Sequence, residues 1–161
     1  MERSADLIKV ATPALFLRRV DAPSWDNAFI NHDHLSWFPA PNYVVMKLYY
    51  DHFQPLRVAF DAPAGLNVSA TRSKDGTSVV VKVVNAANVG TEATIELDTS
   101  YAARQARAWQ VQAELLDRNS LSEPHRIAPR EVKAPVSRNV LQMAFPPRSV
   151  TVIEVSGRLT E

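Results

Sequence analysis

The chain has 161 residues, a formal net charge of +1 and no cysteine; 46% of its residues are hydrophobic and 22% charged. That composition describes a globular chain able to bury a core and excludes a disordered one, while the near-neutral charge gives no electrostatic basis for binding nucleic acid or an anionic membrane surface. The missing cysteines exclude disulfides, thiolate metal sites and a cysteine nucleophile, and no apolar run approaches the ~20 residues that span a bilayer.

The first residues show no charged-then-apolar leader pattern, so no export signal is expected in the chain as written. From Glu2 to Ala11 the apolar residues Leu7, Val10 and Ala11, with Ile8 beside them, predict an amphipathic helix capped by Ser4 and limited by Pro13. Ala28 to Asn31 is a short apolar run that turns polar, the pattern of a buried parallel strand. A loop follows from His32 to Pro41 and carries Trp37 and Phe38. A second helix is expected from Asn42, as N-cap, to Phe53. It is apolar nearly all round apart from Lys47 and Asp51, and such a helix requires neighbours on most sides. One helix, one strand and another helix do not supply them, so this half reads as part of something larger.

Near Gln54-Pro55 the period changes to two. Leu66, Val68 and Ala70 alternate with Asn67, Ser69 and Thr71. The step Lys74-Asp75-Gly76 then leads into Val79–Val84, a strong hairpin signal. Further strands are expected at 91–97, 106–114, 140–145 and 149–155, with weaker ones at 56–60 and 130–136. The polar link from Asp117 to Pro129 is expected to cross between sheets or cover an end. Repeated short strands separated by turn residues indicate an antiparallel β-sandwich. The expected organisation is therefore mainly β: a helix-strand-helix unit over residues 1–54 and a sandwich over 55–161. The sequon at Asn67 falls inside a strand and reads as a chance match.

Several strings, in order, resemble family 51 α-L-arabinofuranosidases. Residues 1–11, Met-Glu-Arg-Ser-Ala-Asp-Leu-Ile-Lys-Val-Ala, are similar to the helix that follows the nucleophile strand in that family. Ala28 to Asn31 is similar to the final barrel strand, and Pro41 to Leu48 to the start of the last barrel helix. Leu66 to Ala70, Val81 to Asn85, Pro146 to Val152 and the stretch from Asn119 through Pro124 to Pro129 are similar to strings of the sandwich. The resemblance covers nearly the whole chain. It implies the end of a (β/α)8 barrel followed by a jelly-roll-like sandwich. It also implies release of terminal non-reducing α-L-arabinofuranose from arabinan or arabinoxylan with retention of configuration. Met1 matches an internal position of the family helix, so a longer parent protein is expected.

A retaining glycosidase needs an acid and a nucleophile carboxyl ~5–5.5 Å apart. In the family both are glutamates on earlier barrel strands, so the resemblance implies no catalytic residue in this chain and no activity of the chain alone. A barrel also needs roughly 250 residues to close. Loops at the C-terminal ends of barrel strands face the active site, so the resemblance places Asn31, His32, Asp33, His34 and Trp37 at the rim of the sugar pocket. The string His32 to Pro39 departs from the Asn/Ser/Gln-rich, glycine-containing loop of better-known relatives, which leaves the exact substrate open.

Other chemistries are less well supported. His32-x-His34 with Asp33 has metal-ligand character but lacks a third ligand, so no metal and no cofactor are expected. Ser36 beside His34 has no nucleophile-elbow motif around it. Glu92, Glu96, Asp98 and Glu114 are expected on a solvent face, and Lys9, Lys47 and the scattered arginines on a solvated surface. Trp37 is a candidate for stacking on sugar; Trp25 is expected to pack, and Trp109 to sit in the sandwich core. The expected partners are the catalytic barrel of the parent enzyme and an arabinose-containing polysaccharide, with self-association through exposed apolar surface. The alternative is a stand-alone module that binds carbohydrate, through Tyr101, Trp109 or Phe145, or binds another protein.

Overall fold

The structure, a computed structural model, describes residues 2–8, 10–23, 25 and 28–160. The expected first helix is absent. Glu2–Ser4 forms a single 3-10 turn, and Leu7 and Val10 lie 80% and 81% exposed. So short a helix is marginal by itself, and Leu7 and Val10 of its apolar stripe are left uncovered. The turn is held instead by Glu2, whose carboxylate pairs with the Lys82 ammonium and accepts the Ser69 hydroxyl at 2.7 Å. Lys9 lies outside the described residues.

Strand β1 (Leu17–Arg19) runs parallel to β2 (Ile30–His32), with Arg19 opposite His32. The strand expected at Ala28–Asn31 thus begins two residues later, although Ala28 and Phe29 are buried as anticipated. β2 folds back antiparallel into β3 (Trp37–Pro39), which occupies part of the expected loop. Helix α1 (Pro41–Asp51) follows, capped by Ala40 with Pro41 in its first turn. Proline is favoured there because the fixed φ suits the helix and the missing N–H has no intrahelical partner. Asn42, the expected cap, lies inside the helix, where its Oδ1 accepts the Tyr43 N–H at 3.0 Å.

The remaining strands are β4 (Leu56–Arg57), β5 (Leu66–Arg72), β6 (Ser78–Asn85), β7 (Thr91–Glu96), β8 (Tyr101–Gln112), β9 (Arg130–Val132), β10 (Val136–Ser137), β11 (Val140–Phe145) and β12 (Ser149–Leu159). They form a six-stranded sheet in the order β4-β5-β6-β12-β8-β9 and a three-stranded sheet in the order β10-β11-β7. All pairings in both are antiparallel. The segment expected to be one strand over 130–136 is divided between the two sheets, so the crossing lies there and not in the 117–129 link. That link covers the outer face of the larger sheet, with Ile127 buried beneath it.

The core follows from strand periodicity. Val79, Val81 and Val83 of β6 meet Ile153 and Val155 of β12 and, from the facing sheet, Leu141, Met143 and Phe145. The intervening residues Val80 and Val152 are also fully buried, because Val44 and Leu48 of α1 cover them from the other side. Helix, six-stranded sheet and three-stranded sheet are thus stacked as three layers.

Trp109 lies on the helix side and not in the sandwich core. Tyr101 and Ala103 face the core, as do Ala106 and Ala108, so alternation along β8 inverts around Arg104. The cause is an irregularity in pairing with β12 between Ser156 and Gly157; one extra residue sends every later side chain to the opposite face. Gly157 is required there, since a Cβ would lie 2.4 Å from the Ala102 carbonyl oxygen and 2.7 Å from the Tyr101 ring.

Lys82 points outward from β6 yet is only 1% exposed. Besides Glu2 it donates to the Tyr49 carbonyl at 3.2 Å and lies 4.8 Å from the centre of the Tyr49 ring. Removing one partner of a buried ion pair leaves an uncompensated charge. Glu2→Ala is therefore expected to lower unfolding stability by about 3 kcal/mol in urea titration. The double variant Glu2→Ala with Lys82→Met should recover most of that loss.

Candidate functional site

The two parallel strands β1 and β2 end at the same edge, and the polar residues singled out in the sequence gather beyond β2. His32 pairs across the hairpin with Trp37, and the chain between them is closed by the Asp33 N–H donating to the Ser36 carbonyl at 3.0 Å. One Asp33 carboxylate oxygen accepts the N–H groups of Leu35 at 2.8 Å and Ser36 at 2.7 Å, and the Ser36 hydroxyl at 3.3 Å. The amide bonds from Leu35 and Ser36 hold the Asp33 carboxyl below the usual carboxylate range.

His32 is half-buried, with Nδ1 2.8 Å from the Asp33 carbonyl oxygen. His34 is exposed. The Trp37 ring is 53% exposed and meets Tyr43 edge-on at 6.3 Å. Asn31 lies beneath the hairpin: its Oδ1 accepts the Ala28 N–H at 3.1 Å and its Nδ2 donates to the Ala28 carbonyl at 2.9 Å. Four of the five expected rim residues therefore share one hairpin, and the fifth is buried in the strand that carries it.

Asn119 ties the far end of this hairpin to the sandwich. Its Nδ2 donates to the carbonyls of Pro39 (3.0 Å) and Ile127 (3.1 Å), while its Oδ1 accepts the Ile127 N–H at 2.7 Å. A groove of about 270 Å³ runs alongside, between Trp37, Tyr43, Lys47 and Asp51 on one side and His125 and Ile127 on the other.

A second polar group lies at this edge without any local sequence signal. Arg19, the last residue of β1, forms a two-pronged ion pair with Asp21, whose carboxyl is brought down to about 2, mainly by that bond. A three-residue strand is too short to show a period, so the placement of Arg19 beside His32 appears only in the fold.

Other expected placements change. Trp25 is 66% exposed and does not pack. Tyr101 and Phe145 are buried, and Trp109 is half-buried between His52, at 4.1 Å between ring centres, and the Arg107 guanidinium at 4.9 Å. Glu92, Glu96, Asp98 and Glu114 are exposed, with Glu114 paired to Arg148. Among the described residues no three His, Asp or Glu side chains are grouped so as to hold a metal ion.

No curated relative matches the sequence. A family model, the α-L-arabinofuranosidase C-terminal domain, matches residues 1–149. The chain belongs to that family. Its fold is similar to that of an arabinose-bound family 51 α-L-arabinofuranosidase, MgGH51, at a TM-score of 0.82 and 19% identity over 97% of this chain and 25% of that one. It is also similar to the arabinose complex of α-L-arabinofuranosidase from Thermotoga maritima, with a TM-score of 0.77 and 17% identity over 96% of this chain and 35% of that one. This member of the family thus spans about a quarter to a third of the length of those two structures. A weaker likeness to the catalytic domain of xylanase C from Talaromyces cellulolyticus, at a TM-score of 0.63 and 14% identity over 80% of this chain and 27% of that one, shows that the architecture alone does not select an activity.

Two outcomes test the site as built. A carboxyl whose folded-state pKa is depressed adds stability above its unfolded value and loses it as pH falls through the folded one. The Leu35 and Ser36 amide resonances are therefore expected to hold their positions on acidification through the ordinary aspartate range near ~3.9 and to move only below it. Asn119→Ala is expected to cost about 2 kcal/mol in urea unfolding, because the buried Ile127 N–H and Pro39 carbonyl lose their partner.

Proposed function

We propose that the chain is the C-terminal portion of an α-L-arabinofuranosidase acting on terminal non-reducing α-L-arabinofuranosides of arabinan or arabinoxylan. In this reading residues 1–54 complete the end of a catalytic barrel, and residues 55–161 form the sandwich that braces it. The observation that carries the proposal is the family match together with a parallel strand pair whose C-terminal edge opens into a polar, tryptophan-bearing hairpin. Ligands of parallel α/β folds bind at that edge.

Apolar exposure supports a missing neighbour. Phe16 and Leu17 beside β1, and Tyr50 and Phe53 at the end of α1, lie open although each sits in or next to a regular element. Phe16 stacks on Phe29 at 5.6 Å, and Phe29 and Tyr50 line one groove; apolar surface of this kind marks a contact, and the rest of the barrel is the contact proposed. The acid and nucleophile carboxyls come from that partner. His34, Trp37 and the outer Asp33 oxygen supply hydroxyl contacts and a ring face to the sugar. The alternative of a stand-alone carbohydrate-binding module loses support, because Tyr101 and Phe145 are buried and Trp109 is hemmed in by His52 and Arg107.

The purified chain is expected to release no arabinose from an aryl α-L-arabinofuranoside or from arabinoxylan. Mixed with a family 51 catalytic barrel lacking its own C-terminal portion, it should co-elute with that barrel in size-exclusion chromatography and restore turnover. In the reassembled enzyme Trp37→Ala should raise KM more than it lowers kcat. No co-elution and no turnover would overturn the proposal.

A further inference from the structure

We propose that Lys82 and Ser69, on the outer face of the six-stranded sheet, form a carboxylate-binding site whose resident ligand is Glu2. When the Glu2 turn lifts away, the site takes a monocarboxylate that carries an aromatic or apolar body. The inference concerns the sheet face beside α1 and does not rest on the barrel reading. Ser69 and Lys82 are direct cross-strand partners in β5 and β6, so the sheet holds the two side chains together whatever the turn does. Lys82 donates to one Glu2 carboxylate oxygen, and the Ser69 hydroxyl donates to the other at 2.7 Å. Two donors side by side match the two oxygens of one carboxylate. The ammonium is fixed further by the Tyr49 carbonyl and ring, which belong to α1 and not to the turn.

The receptor is rigid and its occupant is not. Lys82 is 1% exposed and sits on a central strand, whereas none of residues 2–8 is buried. Arg3 donates to Asn67 at 2.9 Å, and Asp6 lies 3.6 Å from Arg57, both between exposed side chains. Exposed pairs of that kind contribute little, so the turn belongs to the part of the molecule that opens locally. Lys82 cannot follow it out of the strand. An ammonium left in a buried position without its partner is unfavourable, and an anion entering from solution removes that cost.

The surroundings select the class of anion. The groove at this site has a volume of about 360 Å³, and Met46, Tyr49 and Val84 give it apolar walls. Among the described residues its charged lining is Glu2, Arg3 and Lys82. Glu2 and Arg3 leave together with the turn, so one positive charge remains, which a monocarboxylate balances and a phosphate dianion exceeds. Tyr49 adds no competing charge, because burial pushes its hydroxyl up to about 12, with Glu2 a smaller cause. Apolar walls around one fixed cation favour a carboxylate with an apolar body over acetate.

The test titrates the full 161-residue chain and its Glu2→Ala variant with sodium benzoate. Benzyl alcohol controls for the ring and sodium chloride for ionic strength. Benzoate is expected to raise the thermal midpoint of Glu2→Ala saturably, and to shift the Lys82 ammonium and Ser69 amide resonances, which neither control does. The parent chain should bind at least about tenfold more weakly, because Glu2 must first be displaced, and its amides at residues 3–7 should shift with the ligand. The double variant Glu2→Ala with Lys82→Met should not respond. If Glu2→Ala does not fold alone, folding on addition of benzoate and not of benzyl alcohol supports the site, and no folding overturns it. An equal response to benzyl alcohol, an equal response of the double variant, or none from Glu2→Ala also overturns it.

Discussion

The structure depends on covering the outer face of the central strands β6 and β12. Val80 and Val152 on that face are fully buried, as are their neighbours facing the sandwich interior. A strand buried on both sides needs a layer on each, and the three-stranded sheet supplies only one. Val44 and Leu48 of α1, with Ile127 from the 117–129 link, supply the other. Full burial of such side chains is worth about 1.5–3 kcal/mol each, so the seat of the helix is fixed by the sandwich it rests on. Two charged groups on the same face are drawn into that cover: Lys82 reaches Glu2, and Glu154 lies 3.1 Å from His52 at the end of α1, which stacks on Trp109.

This explains how much of the fold is legible from residues alone. Two features encoded within a few residues are read correctly. The Asp75-Gly76 step does join β5 to β6, with Asp75 accepting the Thr77 N–H at 3.1 Å, and the alternation at 140–145 gives β11 with its stated bounds. Features set by tertiary cover are misread. The stripe in residues 2–11 has helical spacing but no surface to lie on, and a buried carboxylate–ammonium pair settles the chain instead. Trp109 is misplaced because a single irregularity opposite Gly157 resets the face of everything after it. Lys82 within a valine-rich strand gives no hint that it is enclosed, since its burial depends on Glu2 and Tyr49, remote in sequence.

The proposed rim divides in the same way. His32, Asp33, His34 and Trp37 are contiguous enough for the sequence to group them, and their hairpin is built by a local device, one carboxylate oxygen collecting two backbone N–H groups. Arg19 ends a strand of three residues, with Asp21 two residues beyond it, and comes level with His32 only through parallel pairing, which no local pattern announces.

Asn119 has a consequence for the order in which the molecule assembles. Its bond to Pro39 closes a loop of 80 residues, whereas the Asp33 turn spans three. Contacts that close long loops carry the larger entropic cost and form after local ones. The hairpin can therefore take its shape early, but reaches its final seat only once the sandwich has formed and delivered the link. On heating the order reverses: the seat, held by the Asn119 bonds, is given up before the strands are. The hairpin's bond to the sandwich would then be lost at temperatures where the β-sheet signal in circular dichroism is still intact.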